Sequence, residues 1–136
     1  MIPDEELKKT FEIFIDKGDF ILATILKEVK GALDNTRQIE LIEKEILEIF
    51  EKDFSKEYKV ILDLLPLGKG RVYTSSGDRK IWARLARQEQ IKKCAIVGSS
   101  MILRVVANFV IKISGRDKDM KWFFEKEEAL GWLKEE

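Results

Sequence analysis

The apolar run at residues 59–65 constrains the fold of this chain more than any other stretch. Pro66 and Gly68 end the run, and a short apolar segment bounded in this way predicts a strand that is buried on both faces in the middle of a sheet. A loop then leads to Ser75, where the pattern of a helix start begins. In open α/β sheets, ligands and partners bind beyond the carboxyl ends of the central strands. The sequence therefore predicts a docking surface near Ser75.

The first part of the chain has the pattern of a hairpin. Residues 10–26 alternate between apolar and polar side chains and then run apolar, and Gly18 lies between the two halves. A tight turn between paired strands favours glycine, because glycine adopts positive φ without strain. We therefore expect two antiparallel strands here, preceded by a frayed lead-in over residues 1–9.

An amphipathic helix is predicted after the hairpin. Apolar side chains recur every three or four positions over residues 36–53, which is the helical period. Asn35, with Gln38 three residues later, resembles a capping box at the start of this helix. The opposite face is expected to lie in solvent. It carries the charged residues Glu40, Glu43, Lys44, Glu48, Glu51 and Lys52.

The second half of the chain alternates between helices and strands. Ser75, with Asp78 three residues later, is a capping signature for the first of these helices, and a second serine cap precedes the next helix. The predicted elements, in chain order, are a helix over residues 76–90, a strand over 94–98, a helix over 101–113, a strand over 121–124 and a helix over 125–133.

This order of elements predicts the fold class. Strands that alternate with helices imply parallel pairing with crossover connections, and the opening hairpin adds one antiparallel strand. With 136 residues and 45% hydrophobic content, the chain can bury one core without disulfides or metal. We therefore predict a single α/β domain over residues 1–136, with a mixed, mostly parallel five-stranded sheet and about four helices.

The composition disfavours catalysis. The chain has no histidine, which removes the commonest general base, the commonest zinc ligand and the usual partner of a catalytic serine or cysteine. Cys94 is the single cysteine, so no disulfide framework exists, and no cofactor or metal is expected. Asp63 and Tyr73, near strand ends, are the candidates for acid–base chemistry if the protein were an enzyme. Asp63 is also similar in position to the phosphoacceptor of receiver domains.

Positive charge is concentrated in the middle of the chain. Residues 66–116 hold 11 basic and 2 acidic side chains, whereas the whole chain has 25 of each. Lys80, Arg84 and Arg87 share one face of the predicted helix after Ser75. They are either solvated or a docking stripe for an acidic partner, a nucleotide or a lipid headgroup. Nucleic acid is not expected, because aromatic, Asn and Gln side chains are scarce among these cations.

The predicted helix over residues 101–113 has more apolar surface than one sheet face can cover. Its polar residues form one thin line, spaced by four, and are Arg104, Asn108 and Lys112. The apolar arc is wider than the roughly 100° needed to cover a sheet face, although the segment is too short to span a bilayer. The surplus is expected to meet a neighbouring helix, a second protomer or an apolar ligand. It is represented by Met101, Val105 and Phe109.

The element order and its joints resemble the STAS fold of bacterial anti-anti-sigma factors and sulphate-transporter tail domains. Val-Ile-Leu-Asp-Leu at residues 60–64 is similar to the central strand of that family. Thr-Ser-Ser-Gly at residues 74–77 resembles the Asp-Ser-Ser-Gly at its regulatory helix start, whose first serine a partner kinase phosphorylates. The carboxyl half resembles an uncharacterised STAS-like subgroup with a hydrophobic helix and a Glu-Glu-Ala-Leu-Gly-Trp-Leu tail. The resemblance implies Ser75, with its neighbour Ser76, as the phosphoacceptor candidates.

Two functions follow from these patterns. The first is a non-enzymatic regulatory module that binds a protein, such as a kinase or an anti-sigma-like partner, and that a phosphate on serine switches. The residues expected to contact the partner are Arg79, Lys80, Arg84 and Arg87. The second is a carrier or sensor of a lipid or other apolar ligand, and homodimerisation is an alternative use of the same apolar helix. No secretory signal pattern opens the sequence, so a cytoplasmic protein is expected.

Overall fold

The computed structural model of the protein describes residues 1–17, 19–70 and 74–135. Within these ranges the strands are β1 (Phe11–Asp16), β2 (Phe20–Ile25), β3 (Tyr58–Asp63), β4 (Ile91–Val97) and β5 (Met120–Phe123). The helices are α1 (Asp4–Leu7), α2 (Ala32–Glu51), α3 (Ser76–Ala86), α4 (Met101–Ile113) and α5 (Lys126–Lys134). Short 3₁₀ turns cover Lys8–Thr10 and Leu65–Leu67.

The five strands form one sheet in the order β1-β2-β3-β4-β5. β1 and β2 pair antiparallel as the predicted hairpin, and the other neighbours pair parallel. Gly18, predicted for the hairpin turn, lies outside the described residues, and Asp19 beside it adopts a positive φ of 63°. The prediction of a mixed, mostly parallel five-stranded α/β sheet is therefore confirmed.

Helices cover both faces of the sheet. The larger apolar core lies between one face and α2, α3 and α4, and Val60 and Cys94 belong to it. The smaller core lies between the other face and α5, and Ile61 and Ala95 belong to it. Because successive strand residues such as Val60 and Ile61 point to opposite faces, β3 is buried on both sides. This confirms the central strand predicted within residues 59–65.

The start of α2 differs from its prediction. The helix begins one turn earlier than residue 36. Asn35 and Gln38 lie inside it, where Asn35 Nδ2 donates to Asp78 Oδ2 (3.1 Å) and Gln38 Nε2 donates to Thr10 Oγ1 (2.9 Å). The predicted capping box is therefore wrong. Buried amides need hydrogen-bond partners, and here residues distant in sequence provide them.

The charged face of α2 is not uniformly solvated. Glu43 is only 9% exposed, and its carboxylate accepts two hydrogen bonds of 2.7 Å from the Arg84 guanidinium on α3. The prediction of a solvent-exposed face is thus wrong at Glu43. The helical period shows which residues share a face, but it does not show which neighbouring element reaches that face.

The end of α3 and the amino end of the chain also differ from the sequence pattern, and β4 begins at Ile91 rather than at residue 94. α3 ends at Ala86 rather than near residue 90, and Arg116 Nη1 donates to the carbonyls of Ala86 (3.0 Å) and Gln88 (3.2 Å). These bonds satisfy carbonyls that a helix end leaves open. At the amino end, where fraying was expected, α1 and a 3₁₀ turn form and Leu7 is fully buried.

Candidate functional site

The starts of α3 and α4 lie at the same edge of the sheet. α3 follows β3 and α4 follows β4, and these strands are parallel neighbours, so their carboxyl ends meet at one edge. Ser75 is the N-cap of α3 and Ser100 is the N-cap of α4. Ser100 Oγ also donates a hydrogen bond to the Gly70 carbonyl (3.4 Å), which joins the loop before α3 to the start of α4. This is the edge at which open α/β sheets bind ligands and partners.

The two candidate phosphoacceptors differ in their surroundings. Ser75 Oγ accepts a hydrogen bond from the Asp78 backbone N–H (3.0 Å), and the Asp78 carboxylate accepts one from the Ser75 N–H (3.0 Å). The capping box predicted here is therefore confirmed. Ser75 is half-buried and Ser76 is exposed. The Ser76 side chain is therefore open to solvent, whereas the Ser75 hydroxyl is engaged in the helix cap.

Asp78 fixes the start of α3 to the start of α2. Its side chain is fully buried. Besides the bond from the Ser75 N–H, the carboxylate accepts hydrogen bonds from Asn35 Nδ2 (3.1 Å) and Thr36 Oγ1 (2.5 Å) on α2. Buried carboxylates are stable only when such donors replace water. Asp78 therefore holds two helices together, a role that its place in a local capping motif does not reveal.

Arg84, a predicted partner-binding residue, has a partner within the chain. Its two hydrogen bonds to Glu43 are the bidentate geometry that arginine and carboxylate prefer. The hydrogen bonds to Glu43 raise the pKa of Arg84 above its usual value. Glu43 neutralises much of the Arg84 charge, so this arginine offers less to an external anion than the sequence suggests.

The other three cations predicted to bind a partner differ in whether they are bonded within the chain. Arg79 Nη1 donates to the Thr74 carbonyl (3.0 Å), and Arg87 Nη2 donates to the Ile113 carbonyl at the end of α4 (3.3 Å). Lys80 is exposed and belongs to none of the ion pairs found among the described residues. The stripe is therefore a mixture of side chains bonded within the chain and one free lysine.

The outer face of α4 is apolar and exposed. The three residues singled out from the sequence lie on it, and so do Ile102 and Ile113, which the sequence reasoning missed although they follow the same spacing of three and four. Their exposed fractions range from 44% for Ile113 to 67% for Val105. The full set is Met101, Ile102, Val105, Phe109 and Ile113. We call this set the α4 ridge.

A cavity of about 120 Å³ lies beneath α3 and α4, against the face of the sheet. Its walls are mostly apolar and include Val60, Cys94 and Leu103, while Gln38 and Thr74 are among its polar lining residues. Burial raises the pKa of the Cys94 thiol to about 12. The thiol therefore stays protonated at neutral pH and acts as part of an apolar wall.

Asp63, the candidate for acid–base chemistry, is bonded within the chain. It is 8% exposed, and Oδ1 accepts a hydrogen bond from the Leu65 N–H (2.9 Å) while Oδ2 lies 3.3 Å from Lys126 Nζ. These contacts close the end of β3 and link it to the start of α5. Tyr73, the proposed second group, lies outside the described residues.

The part of the chain that the structure describes, residues 1–17, 19–70 and 74–135, lacks two features. No group of three or more side chains there has the composition and closeness of a metal site. No helix in the same ranges is long and apolar enough to span a membrane.

Comparison with known proteins gives a family and a fold. Residues 36–136 match a domain of unknown function, DUF7793. The structure is similar to the crystal structure of an uncharacterised protein of the DUF3478 family from Shewanella loihica PV-4, which has a SpoIIAA-like fold. The TM-score is 0.59 and the identity 14%, over 90% of this chain and 91% of that chain. No curated protein sequence matches the chain. The STAS-like resemblance is thus confirmed as a SpoIIAA-like fold, and the chain belongs to the DUF7793 family.

Proposed function

We propose that the protein is a non-enzymatic regulatory module that binds a protein partner at the carboxyl edge of its sheet. Phosphate on Ser75 or Ser76 switches this contact. The observation that carries the proposal is the position of the two serines: Ser76 presents its side chain to solvent, and Ser75 holds the helix start through Asp78. A modification at either serine therefore changes the surface that a partner meets.

A phosphate on Ser75 acts by disrupting the cap. It adds roughly −1.5 to −2 charge at pH 7 beside the buried carboxylate of Asp78, and it removes the Oγ geometry that accepts the Asp78 N–H. Arg79 is the first cation after Ser75 in the sequence and is already bonded to the Thr74 carbonyl. Accommodating the phosphate therefore requires Arg79 to move and the start of α3 to rearrange. The partner would meet a surface changed in both shape and charge.

A phosphate on Ser76 acts without rearrangement. Ser76 is the first residue of α3 and is exposed, and anions are stabilised at helix amino ends by the open N–H groups and the helix dipole. The added charge lies on the same outer side as Lys80, one turn on. It would neutralise this cation and repel an acidic partner surface.

Binding assays with serine variants test the proposal. Ser75→Asp and Ser76→Asp are compared with Ser75→Ala, Ser76→Ala and a control, Ser55→Asp, which adds the same charge before β3, at the opposite end of the sheet. We expect the aspartate variants at the start of α3 to change the proteins retained in quantitative pull-downs, while the control matches wild type. Circular dichroism verifies that each variant is folded. Unchanged retention for both serines would reject the switch.

A second function is supported by the cavity. Its volume of about 120 Å³ is slightly below that of an engineered cavity of roughly 150 Å³ that binds benzene or xenon. A small apolar ligand therefore fits, whereas a lipid chain requires α4 to move away from the sheet. Native mass spectrometry of protein purified from cells tests this carrier function. A mass equal to that of the bare chain or bare dimer would exclude it.

A further inference from the structure

The α4 ridge has the length and shape of a helix-docking surface. Its five residues extend over the whole of α4, from Met101 to Ile113, which is about 20 Å at 1.5 Å per residue. The residues beneath them, such as Leu103 and Val110, are buried against the protein. The inner side of α4 thus packs against the protein, and the ridge faces solvent. Exposed apolar surface of this kind marks interaction sites.

Positive charge borders the ridge, and α4 itself has no acidic residue. Arg104 and Lys112 are exposed on the same helix, and the Arg104 guanidinium lies over the Phe124 ring (5.5 Å). On the side of α3, the bond from Arg87 to the Ile113 carbonyl places a third cation beside the carboxyl end of the ridge. Two of the three cations are arginines held in place, and fixed guanidinium groups favour carboxylates.

We propose that the α4 ridge binds an amphipathic helix of a partner protein, with apolar residues at spacings of three and four and acidic residues on both flanks. This inference rests on the proposed function and names the place where the partner binds. Helix-on-helix docking of this kind uses anchors at i, i+3, i+4 and i+7. The acidic flanks supply the carboxylates that the bordering cations lack within α4.

Charge argues against the other occupants. In a symmetric dimer through α4, the cations that border the two ridges, Arg104 and Lys112 in each copy, would approach one another, and like charges facing each other are unfavourable. An anionic bilayer would repel a carboxylate near the ridge, and the exposed Glu125 is the next residue after Phe124, whose ring lies against Arg104. A single helix lying along α4 avoids both conflicts.

The test uses two synthetic helical peptides of about 14 residues, the length that matches α4. Both carry the same leucine face, and one has glutamate flanks while the other has lysine flanks. Binding is measured by fluorescence anisotropy, and NMR locates the shifted resonances. We expect the acidic peptide to bind at least tenfold more tightly than the basic one, with shifts on α4 and an affinity that falls as salt rises.

Protein variants locate the contact. Val105→Ser and the double change Arg104→Glu with Lys112→Glu should each weaken the acidic peptide at least tenfold, and the charge reversal should improve binding of the basic peptide. The matched control is Leu33→Ser, a similarly exposed leucine on α2 (71% exposed, against 67% for Val105). It should leave both affinities unchanged.

Three results would overturn the inference. The first is that the two peptides bind equally well or do not bind. The second is that the protein cosediments with phosphatidylglycerol vesicles and Val105→Ser abolishes this, and the third is that the protein forms a concentration-dependent dimer that Val105→Ser dissociates. The serine variants are measured separately, so the two proposals fail independently. If the Ser75 effect on partner retention persists while the peptides fail, the switch stands and this docking position is wrong.

Discussion

The helices α3 and α4 occupy equivalent places in the fold but have opposite outer faces. Each follows a central parallel strand, begins with a serine cap and packs on the same face of the sheet. The outer side chains of α3 largely bond back to the protein, as Arg84 does with Glu43. Those of α4 are large, apolar and exposed. The comparison shows that the place of a helix relative to the sheet does not indicate its role. The contacts of its outward side chains do.

The largest expected effect is the loss of Asp78. Asp78→Ala removes the buried carboxylate that accepts hydrogen bonds from the Ser75 N–H, Asn35 and Thr36, and with it the link between the starts of α2 and α3. We expect the free energy of unfolding to fall by roughly 3 kcal/mol, measured by urea denaturation. Asn108→Ala, on the outer side of α4, is the control and should change it by less than about 0.5 kcal/mol. A loss below about 1 kcal/mol for Asp78→Ala would contradict the contrast between α3, whose side chains are bonded within the protein, and the exposed outer face of α4.

Alkaline pH tests the core beneath α3 and α4, where Cys94 is buried. Burial raises the pKa of this thiol from 9.0 to about 12, so between these values the unfolded chain loses a proton that the folded chain keeps. Stability should therefore decrease with rising pH in this window, by about 1.4 kcal/mol per unit from this group. The free energies of unfolding of wild type and Cys94→Ala are measured at several pH values. The difference between the two proteins cancels the contribution that lysines and tyrosines make to both. Parallel pH dependences would show that water reaches the thiol.

Both serine caps should contribute to stability, and Ser100 should contribute more. Ser75 Oγ accepts from the Asp78 N–H (3.0 Å), and Ser100 Oγ accepts from the Leu103 N–H (3.2 Å). Ser100 is also buried and donates to the Gly70 carbonyl (3.4 Å). Ser75→Ala should lower the free energy of unfolding by about 1 kcal/mol and Ser100→Ala by about 1 to 2 kcal/mol, measured by urea denaturation. An equal or smaller loss for Ser100→Ala would mean that its bond to the Gly70 carbonyl adds nothing to stability.

The ion pair between Arg84 on α3 and Glu43 on α2 should contribute no more to the free energy of unfolding than a serine cap does. Arg84 is 59% exposed at its side chain and Glu43 is 11% exposed, so solvent screens the pair. We expect Arg84→Ala to lower the free energy of unfolding by about 1 kcal/mol or less, and by a smaller amount in high salt. Lys112→Ala on α4 should have almost no effect, because its side chain takes part in no ion pair or cation–π contact found among the described residues. Equal losses for Arg84→Ala and Lys112→Ala would contradict the comparison.

The smallest effect is expected on the α4 ridge. Val105 is largely exposed, so Val105→Ser removes little buried contact and creates no cavity. The free energy of unfolding should therefore stay within about 0.5 kcal/mol of wild type. Val110→Ala, on the buried side of the same helix, should lower it by roughly 1 to 3 kcal/mol. Urea denaturation of both variants measures the contrast. A large loss for Val105→Ser would show that the ridge is already covered within the protein.

Local patterns predicted most of the fold. The hairpin alternation, the helical period over residues 101–113 and the capping box at Ser75 each depend on residues within a few positions of one another, and each forms as expected. The candidate site was only partly predictable. The sequence indicated Ser75 and the apolar surplus of α4, but it offered Arg84 as free when Glu43 binds it.

The sequence by itself determined the order of strands and helices, the central place of β3 and the serine starts of α3 and α4, because periodicity and capping are local properties of the chain. Only the tertiary structure decided that Asp78 bonds to Asn35 and Thr36, that Arg84 bonds to Glu43 and that the α4 ridge faces solvent. The bonded pairs join residues more than 40 positions apart. Such pairings depend on how helices pack across the sheet, and no spacing within one segment encodes that geometry.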